Sequence, residues 1–376
     1  MILPVSRIPR SFLATLLLIV VVFLLPFHHL QAQTNPSPDR SILPGPKPAD
    51  APLDWKRLVG IYEGKLGSIF ILEREERLYW LAPRWEYWMN QDPDGTYWVS
   101  VTEGPRKDIL VKRNVTDEVS EIALVKHLYI QGRGETSGHD VLESYARADA
   151  GSNPDHYYHV SPAQPVAELR EQALKLSPPP EAGPFREPDL VELVTLDPAI
   201  HLDVRYASAK NFLSTPVYTQ ARAFMQRPAA DALLRVLHKL QPLGYGLLIH
   251  DAYRPWYVTK IFWDATPPEG KIFVADPEKG SNHNRGCAVD LTLYDLATGQ
   301  TVEMPGLYDE MSPRSFPNFP GGTSLQRWHR DLLRRAMESE GFTVNEDEWW
   351  HFDYKDWKQY GILNVPFEKL AVSHKP

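Results

Sequence analysis

The stretch from Ser281 to Asp290 reads SNHNRGCAVD and runs directly into the β-like segment LTLYDL. A second stretch, Glu348 to His351, reads EWWH and precedes another β-like segment, FDY. Imidazole and carboxylate ligands suit zinc, and a catalytic zinc typically keeps three protein ligands and leaves one position for water. His283, Asp290 and His351 therefore form a plausible set of two histidines and one carboxylate.

Two further charged residues fit the same chemistry. Glu348 lies three residues before His351, where a carboxylate could take a proton from the attacking water and deliver it to a leaving amine. Arg254, in the turn DAYRP at 251–255, is permanently charged and forked, so it could stabilise the oxyanion of an attacked carbonyl. Each motif taken singly has a structural alternative: a buried histidine with satisfied hydrogen bonds, an arginine in an ion pair, or tryptophans of the core.

The pattern around these motifs predicts an α+β domain over residues 189–376. The predicted strands are LVELVTL, HLDVRYA, GYGLLIHDAY, CAVDLTLYDL and the stretch around WWHFDY. Leucines at intervals of three and four residues predict an amphipathic helix over 228–241. A second helix is predicted from Thr323 to Gly341, where the glycine ends it. A sheet that carries a few helices is typical of the α+β class.

An upstream module, residues 54–165, consists of short β-rich runs without a helical pattern. These runs are LVGIYEG, SIFILERE, RLYWLAP, TYWVSV, DILVKR, IALVKHLYI and ESYAR. They predict an all-β accessory domain, either a small antiparallel barrel or a sandwich. The segments 34–53 and 166–188 contain clustered prolines and are predicted linkers on either side of the module.

The N-terminus has the order of a secretory signal. Arg7 and Arg10 precede an apolar run from Phe12 to Phe27, and a polar stretch follows. Residues 1–33 are therefore predicted to be a signal peptide, with an uncleaved N-terminal anchor as the alternative. The run is short for a spanning helix, which needs about 20 residues. Either interpretation predicts an exported protein, periplasmic or secreted, and membrane-anchored if the segment is uncleaved.

Composition narrows the function classes. A chain of 376 residues allows two domains of roughly 150 residues and a targeting segment. The net charge is −8 and the pI is near 5.9, so the chain lacks the excess of basic residues that is typical of nucleic-acid-binding proteins, and nucleic-acid binding is not expected. The single cysteine, Cys287, excludes an intrachain disulfide and zinc sites built on several thiolates. We expect Cys287 to be a small buried residue rather than a soft additional ligand.

Together the motifs resemble the VanX-type zinc D-alanyl-D-alanine dipeptidases of the D,D-peptidase superfamily. The family motifs S-x-H-x-x-G-x-A-x-D and E-x-W-H are matched by Ser281, His283, Gly286, Ala288, Asp290, Glu348, Trp350 and His351. Further matches are the Y-R-P turn at 253–255, LDVRYAS…NF at 202–212 and YDEMSPRS at 308–315. The resemblance covers residues 190–365 and implies a hedgehog-like metallopeptidase fold there.

This resemblance also implies roles for individual residues. It implies one zinc ion (Zn2+) per chain with the ligands His283, Asp290 and His351. Glu348 would be the base, and Arg254 would share the charge of the oxyanion with the metal. Asp309 falls where family members hold the ammonium group of the substrate, and Ser281 could hydrogen-bond near it. Cys287 is a departure, because the family often has serine at this position.

The implied function is hydrolysis of D-alanyl-D-alanine and related D,D-dipeptides, with a small dipeptide as the partner. One alternative is a zinc D,D-carboxypeptidase that trims peptidoglycan stem peptides, which export would favour. Another is a non-catalytic cell-wall binding protein in which the β-module does the binding. A membrane contact is expected only through an uncleaved N-terminal segment. Contact of the β-module with the cell wall is compatible with each of these functions.

Overall fold

The computed structural model describes residues 39–100, 106–131, 136–149 and 159–370. The segment predicted as a signal peptide or anchor, residues 1–33, lies outside these ranges, and its interpretation stays a prediction. Within the described ranges, no helix combines the length and the apolar character needed to cross a membrane.

Eight antiparallel strands in the described residues form a closed barrel. They are β1 (Gly60–Gly64), β2 (Gly67–Arg74), β3 (Arg77–Ala82), β4 (Trp85–Gln91), β5 (Tyr97–Val99), β6 (Lys107–Arg113), β7 (Val119–Gln131) and β8 (Thr136–Arg147). Each strand pairs with the next along the chain, and β8 pairs back with β1. A buried apolar cluster that includes Tyr62, Ile71 and Trp80 forms the core. Of the two architectures that the sequence predicts, the barrel is the one observed.

The β-rich runs of the sequence predict seven of these strands, and β4 is the one without such a run. Trp85 and Trp88 of this strand are 62% and 55% exposed, whereas Met89 is buried. Because most of β4 faces solvent, its sequence lacks the alternation of apolar and polar residues that marks a half-buried strand.

The C-terminal half contains a five-stranded sheet in the order β10, β12, β13, β15, β14. The strands of this half are β9 (Leu190–Glu192), β10 (Ile200–Leu202), β11 (Phe224–Gln226), β12 (Tyr245–Asp251), β13 (Ala288–Asp295), β14 (Phe342–Val344) and β15 (His351–Tyr354). β10 is parallel to β12, the other neighbours are antiparallel, and β9 pairs with β11 in a second small sheet. The central strand β13 is buried along nearly its whole length and corresponds to the predicted strand CAVDLTLYDL.

The described α-helices are α1 (Leu53–Leu58), α2 (Val166–Ala173), α3 (Arg227–Leu240), α4 (Trp256–Ala265) and α5 (Ser324–Glu338). α3 and α5 agree with the predicted helices to within three residues at each end. α5 begins with a capping box, in which Thr323 accepts from the Gln326 backbone and the Gln326 side chain accepts from the Thr323 backbone. The apolar faces of α3 and α5 belong to the same buried cluster as β12 and β13.

Both segments predicted as linkers carry buried side chains. α2 lies within 166–188, and its residues Leu169 and Ala173 are buried in a cluster that includes Ile261 of α4. Ile42, within 34–53, is buried in the cluster that contains α3. These contacts hold both segments against the C-terminal half through apolar burial.

The barrel contacts the C-terminal half at the start of α5. Glu73 of β2 is buried, and one of its carboxylate oxygens accepts a hydrogen bond from the Ser324 backbone at 2.6 Å. The Arg327 side chain donates to the Glu73 carbonyl at 2.8 Å. A carboxylate at a helix N-terminus interacts favourably with the unpaired backbone N–H groups there. Glu73 therefore joins the two halves of the chain.

Candidate metal centre and active site

Strand pairing brings the predicted metal ligands together from distant parts of the chain. Asp290 on β13 lies opposite His351 on β15 in antiparallel register. His283 lies on a short 3-10 turn directly before β13, and Gly286 ends that turn with a φ of +68°. A Cβ at position 286 would lie 2.6 Å from the nearest side-chain atom. Glycine therefore permits both the left-handed conformation and the close packing of the turn that carries His283.

The ligand atoms of the three residues converge on one point. His283 Nε2 lies 3.2 Å from His351 Nδ1. Asp290 Oδ1 lies 3.3 Å from His283 Nε2 and 3.2 Å from His351 Nδ1. All three side chains are buried.

The outer nitrogens of both histidines are held by hydrogen bonds. His283 Nδ1 donates to the Ala252 carbonyl at 2.6 Å, and His351 Nε2 donates to Asp353 Oδ1 at 3.0 Å. Both partners can only accept, so His283 Nε2 and His351 Nδ1 are the nitrogens left to face the other ligands. Asp290 Oδ1 has no hydrogen-bond donor among the described residues. Two imidazole nitrogens and a carboxylate oxygen that face one another in a buried site fit a bound metal ion, which would replace any proton held between them.

The electrostatics of the cluster favour positive charge in the same place. Burial raises the pKa of Asp290, but the charges of His283 and His351 outweigh burial and lower it well below its usual range. Burial lowers the pKa of His351, whereas Asp353 and Asp290 raise it. The result is a pKa well above the ordinary value of histidine. The site thus keeps Asp290 as a carboxylate and attracts a cation to the imidazoles.

Glu348 lies beside the triad. Its Oε2 is 3.4 Å from His351 Nδ1, and its side chain is 22% exposed toward the cavity. Burial raises its pKa, the nearby His351 lowers it and Asp290 raises it again, so that the pKa is about 7. A carboxyl group that titrates near neutrality can both accept and deliver a proton at physiological pH.

Arg254 is aimed into the cavity by a buried carboxylate. Its Nε and Nη2 atoms lie 2.9 and 2.8 Å from Asp251 Oδ2. Asp251 also accepts hydrogen bonds from the Tyr218 hydroxyl at 2.7 Å and the Ala252 backbone at 2.9 Å. Burial lowers the pKa of Arg254, but Asp251 more than compensates and raises it well above its ordinary value. The guanidinium therefore stays charged and has a fixed direction.

Asp309 also lines the cavity and has a strained backbone. Its φ is +56°, in the left-handed region that non-glycine residues rarely adopt. The Tyr206 hydroxyl hydrogen-bonds to its carboxylate at 2.9 Å. Burial raises the pKa of Asp309 well above its ordinary value, and the charges of Asp290 and Glu348 raise it further. A cationic group entering the cavity would stabilise the ionised form.

Ser281 and Cys287 lie on either side of the 3-10 turn that carries His283. The Ser281 hydroxyl caps the turn by accepting from the His283 backbone at 3.2 Å, and Ser281 also lines the cavity. Cys287 is fully buried in the apolar core, as the sequence predicts, and its Sγ lies 3.7 Å from the Arg285 carbonyl. Burial raises the pKa of Cys287 to about 12, which keeps it a thiol. A thiol in this position is a core side chain rather than a ligand.

A cavity of about 310 Å³ lies over the triad. The seven residues singled out by sequence all line it: Arg254, Ser281, His283, Asp290, Asp309, Glu348 and His351. Aromatic and aliphatic side chains form part of its wall: Phe212, Phe262, Phe273 and Val274. The cavity therefore combines charged groups of both signs with apolar surface at the size of a small ligand.

Sequence reasoning leaves out four side chains that orient the site. Asp251 holds Arg254, Asp353 holds His351, Tyr206 holds Asp309, and the Tyr308 hydroxyl donates to Asp290 Oδ2 at 3.1 Å. Two of them carry a signal in the sequence. Asp353 follows His351 by two residues, which places these two side chains on the same face of β15. Asp251 precedes Arg254 by three residues in the turn DAYRP. The contacts of the two tyrosines depend on tertiary packing.

A buried triad of two imidazoles and a carboxylate, beside a carboxyl group that titrates near neutrality, is typical of metal-dependent hydrolases. Within this class, the chain belongs to the Peptidase_M15 family, described as D-ala-D-ala dipeptidase, whose family model matches residues 186–373. The resemblance inferred from the motifs is thereby confirmed, and the chain is a member of a family of zinc-dependent hydrolases.

Curated relatives agree with the family. The chain is 35% identical over 179 residues to the D-alanyl-D-alanine dipeptidase of Escherichia coli (strain K12), which covers 48% of this chain and 91% of the relative. It is 35% identical over 185 residues to the dipeptidase of that name from Enterococcus faecalis (43% of this chain, 90% of the relative). It is 33% identical over 175 residues to that of Streptomyces coelicolor (42% and 87%). The family match begins at residue 186, so the barrel precedes the matched region.

Proposed function

We propose that this chain is an exported zinc peptidase that hydrolyses D-alanyl-D-alanine, and related D,D-dipeptides, to free amino acids. The observation that carries the proposal is the buried triad of His283, Asp290 and His351, whose three ligand atoms lie 3.2–3.3 Å from one another. The family and the names of the curated relatives support the dipeptide substrate.

Zinc is the metal that the triad fits best. Two imidazoles and one carboxylate are a common catalytic zinc set. In a tetrahedral site with bonds of about 2.0–2.1 Å, neighbouring ligand atoms lie about 3.3 Å apart. The three distances between the ligand atoms are 3.2, 3.2 and 3.3 Å. Zinc, when bound, supplies a Lewis acid that polarises the scissile carbonyl and makes water acidic.

The side chains of this protein then perform the proton transfers. Glu348 takes a proton from the attacking water, for which its pKa of about 7 is suited, and delivers it to the departing amine. Arg254, held by Asp251, donates hydrogen bonds to the oxygen that becomes negative in the transition state. Because Asp251 fixes the guanidinium beforehand, little reorganisation is needed during the reaction.

Asp309 selects the substrate through charge. A free dipeptide carries an ammonium group, and an ionised Asp309 would pair with it inside a buried cavity. Tyr206 fixes the carboxylate by its hydrogen bond, and Ser281 lines the cavity as a further polar group. A longer peptide has no ammonium at this position, so it would leave the buried carboxylate unpaired.

Export is a separate part of the proposal and depends on the apolar run near the N-terminus. An exported enzyme would act on dipeptides outside the cytoplasm, apart from the place where precursors of the cell wall are assembled. This location suits the recovery of dipeptides as nutrients better than protection against glycopeptide antibiotics.

The test is an assay of D-alanine release by the chain purified from residue 34 onward. We expect release from D-Ala-D-Ala with added zinc, no release after chelation, and no cleavage of a pentapeptide that ends in D-Ala-D-Ala. Cleavage of the pentapeptide but not of the dipeptide would identify a D,D-carboxypeptidase instead. Zinc binding without hydrolysis of either would favour the non-catalytic cell-wall binding protein.

A further inference from the structure

We infer that the β-barrel completes the substrate site, because its residue Asp149 positions Asp309 through Arg314. Asp149 follows β8 directly, and the residues from Pro305 to Ser315 form the loop that carries Asp309, here called the substrate loop. This inference rests on the proposed role of Asp309 and adds a partner that lies outside the family match.

Arg314 ties the two ends of the substrate loop together. Its side chain is 9% exposed, and its Nε donates to the Pro305 carbonyl at 2.8 Å. Between these residues the chain passes very close to itself at Gly306, where a Cβ would lie 2.5 Å from the Arg314 carbonyl oxygen. The loop is therefore closed around the arginine, and only glycine fits at the crossing.

The residue next to Asp309 is held from several sides. One Glu310 carboxylate oxygen accepts from the Leu307 backbone at 2.8 Å, and the other accepts from the Ser312 hydroxyl at 2.9 Å. The Ser315 hydroxyl donates to the Glu310 carbonyl. The same carboxylate lies 3.6 Å from Arg314. This network keeps Asp309 in its left-handed conformation, which needs support from its surroundings.

Asp149 holds Arg314 from the barrel side. Its side chain is completely buried, and its Oδ2 lies 3.4 Å from Arg314 Nη1. The Ile61 backbone donates to the same oxygen at 2.7 Å, and Arg147 Nε donates to the other oxygen at 2.8 Å. Burial raises the pKa of Asp149, but Arg314 and Arg147 lower it below its ordinary value, so the residue is ionised. The carboxylate thus links two barrel strands to the substrate loop.

The consequence is a specific effect on substrate binding. Loss of the Asp149 charge leaves Arg314 with less support from the barrel, and the loop that it closes becomes looser. Asp309 then spends less time where it can pair with the ammonium group, while Glu348 and Arg254 are held by other contacts. KM for the dipeptide should rise, and kcat should change little.

The experiment compares steady-state kinetics of the zinc-loaded chain and its variants with D-Ala-D-Ala. We expect Asp149→Asn and Arg314→Lys each to raise KM about tenfold, which is a typical effect of mutating a residue that acts through a chain of contacts. The kcat of each variant should stay within about twofold of that of the unaltered chain. Glu73→Gln is the matched control, because Glu73 is also a buried barrel carboxylate that contacts the C-terminal half, but at α5. It should lower the melting temperature without changing KM.

Asp309→Asn separates this inference from the proposed function. If Asp149 acts through Asp309, then Asp149→Asn should raise KM no further in the Asp309→Asn background. An unchanged KM in Asp309→Asn alone would overturn the proposed ammonium site. A raised KM in Asp309→Asn with an unchanged KM in Asp149→Asn would overturn the role of the barrel. If Asp149→Asn does not fold, Arg314→Lys decides the question in the same way.

Discussion

At the scale of single residues, we propose that Glu348 transfers protons and that Arg254 supplies a fixed positive charge. Glu348 has a pKa of about 7 because burial disfavours its ionised form. Arg254 keeps its charge because Asp251 is buried with it. Two side chains in one cavity thus receive opposite functions from their neighbours.

Glu348→Gln should abolish nearly all turnover while the metal stays bound. The amide has a similar shape but cannot accept a proton, and general-base catalysis contributes about 10²–10⁴ in rate. Metal content per chain and kcat would be measured together. Glu346→Gln is the matched control, since Glu346 is exposed and lies two residues away. Loss of metal in Glu348→Gln would make Glu348 a ligand instead of a base.

Arg254→Ala should lower kcat by about 10²–10³, the usual cost of losing one oxyanion partner. Asp251→Asn should have a smaller effect in the same direction, because the guanidinium remains but loses its buried carboxylate. Turnover of D-Ala-D-Ala by both variants, with metal content as the control, would check this order. If Asp251→Asn were as active as the unaltered enzyme, the orientation of Arg254 would come from elsewhere.

At the scale of elements, the ligands could be predicted because they lie at the ends of strong strand patterns. The stretch CAVDLTLYDL predicts the strand that is observed as β13, which carries Asp290, and His283 lies on the turn before it. The pairing of β13 with β15, which brings His351 opposite Asp290, is a tertiary fact that only the family resemblance supplies in advance. β4 could not be predicted, because a strand that is mostly exposed does not alternate apolar and polar residues. The ion pair of Asp149 with Arg314 could not be predicted either, because two residues so far apart in the chain form no local sequence pattern.

α5 carries a buried histidine that should make the stability of the fold depend on pH. Burial lowers the pKa of His329 to about 4. Between pH 6.5, the ordinary pKa of histidine, and pH 4, this side chain is protonated in the unfolded chain but neutral in the folded chain. The free energy of unfolding therefore decreases by up to about 3 kcal/mol as the pH is lowered through this range. His329→Gln should flatten the decline of the melting temperature between pH 7 and pH 4.5.

His238→Gln is the matched control for this measurement, since the side chain of His238 on α3 is 56% exposed. Its melting temperature should follow that of the unaltered chain at each pH. An equal slope in the His329→Gln variant would mean that other groups cause the loss of stability in acid, for example protonation of the metal ligands.

At the scale of the whole molecule, the barrel and the C-terminal half share buried polar contacts. Glu73 accepts from Ser324 at the start of α5, and Asp149 pairs with Arg314 of the substrate loop. Separating the two halves would remove Ser324 as a donor to Glu73 and break the ion pair of Asp149 with Arg314, and losing a partner of a buried charge costs free energy. The two halves should therefore unfold as one cooperative unit.

Metal removal tests this cooperativity, because the triad lies entirely in the C-terminal half. A ligand present at about 100 times its Kd stabilises the folded state by about 2.7 kcal/mol, which for a chain of this size corresponds to about 3–4 °C in Tm. In calorimetry of the zinc-loaded and chelated protein, we expect one transition that moves as a whole, so that chelation also destabilises the barrel. His351→Ala should remove the dependence on zinc, whereas Glu348→Gln should retain it. Two transitions, of which only one responds to chelation, would mean that the barrel folds independently and that its contacts with the substrate loop are too weak to position Asp309.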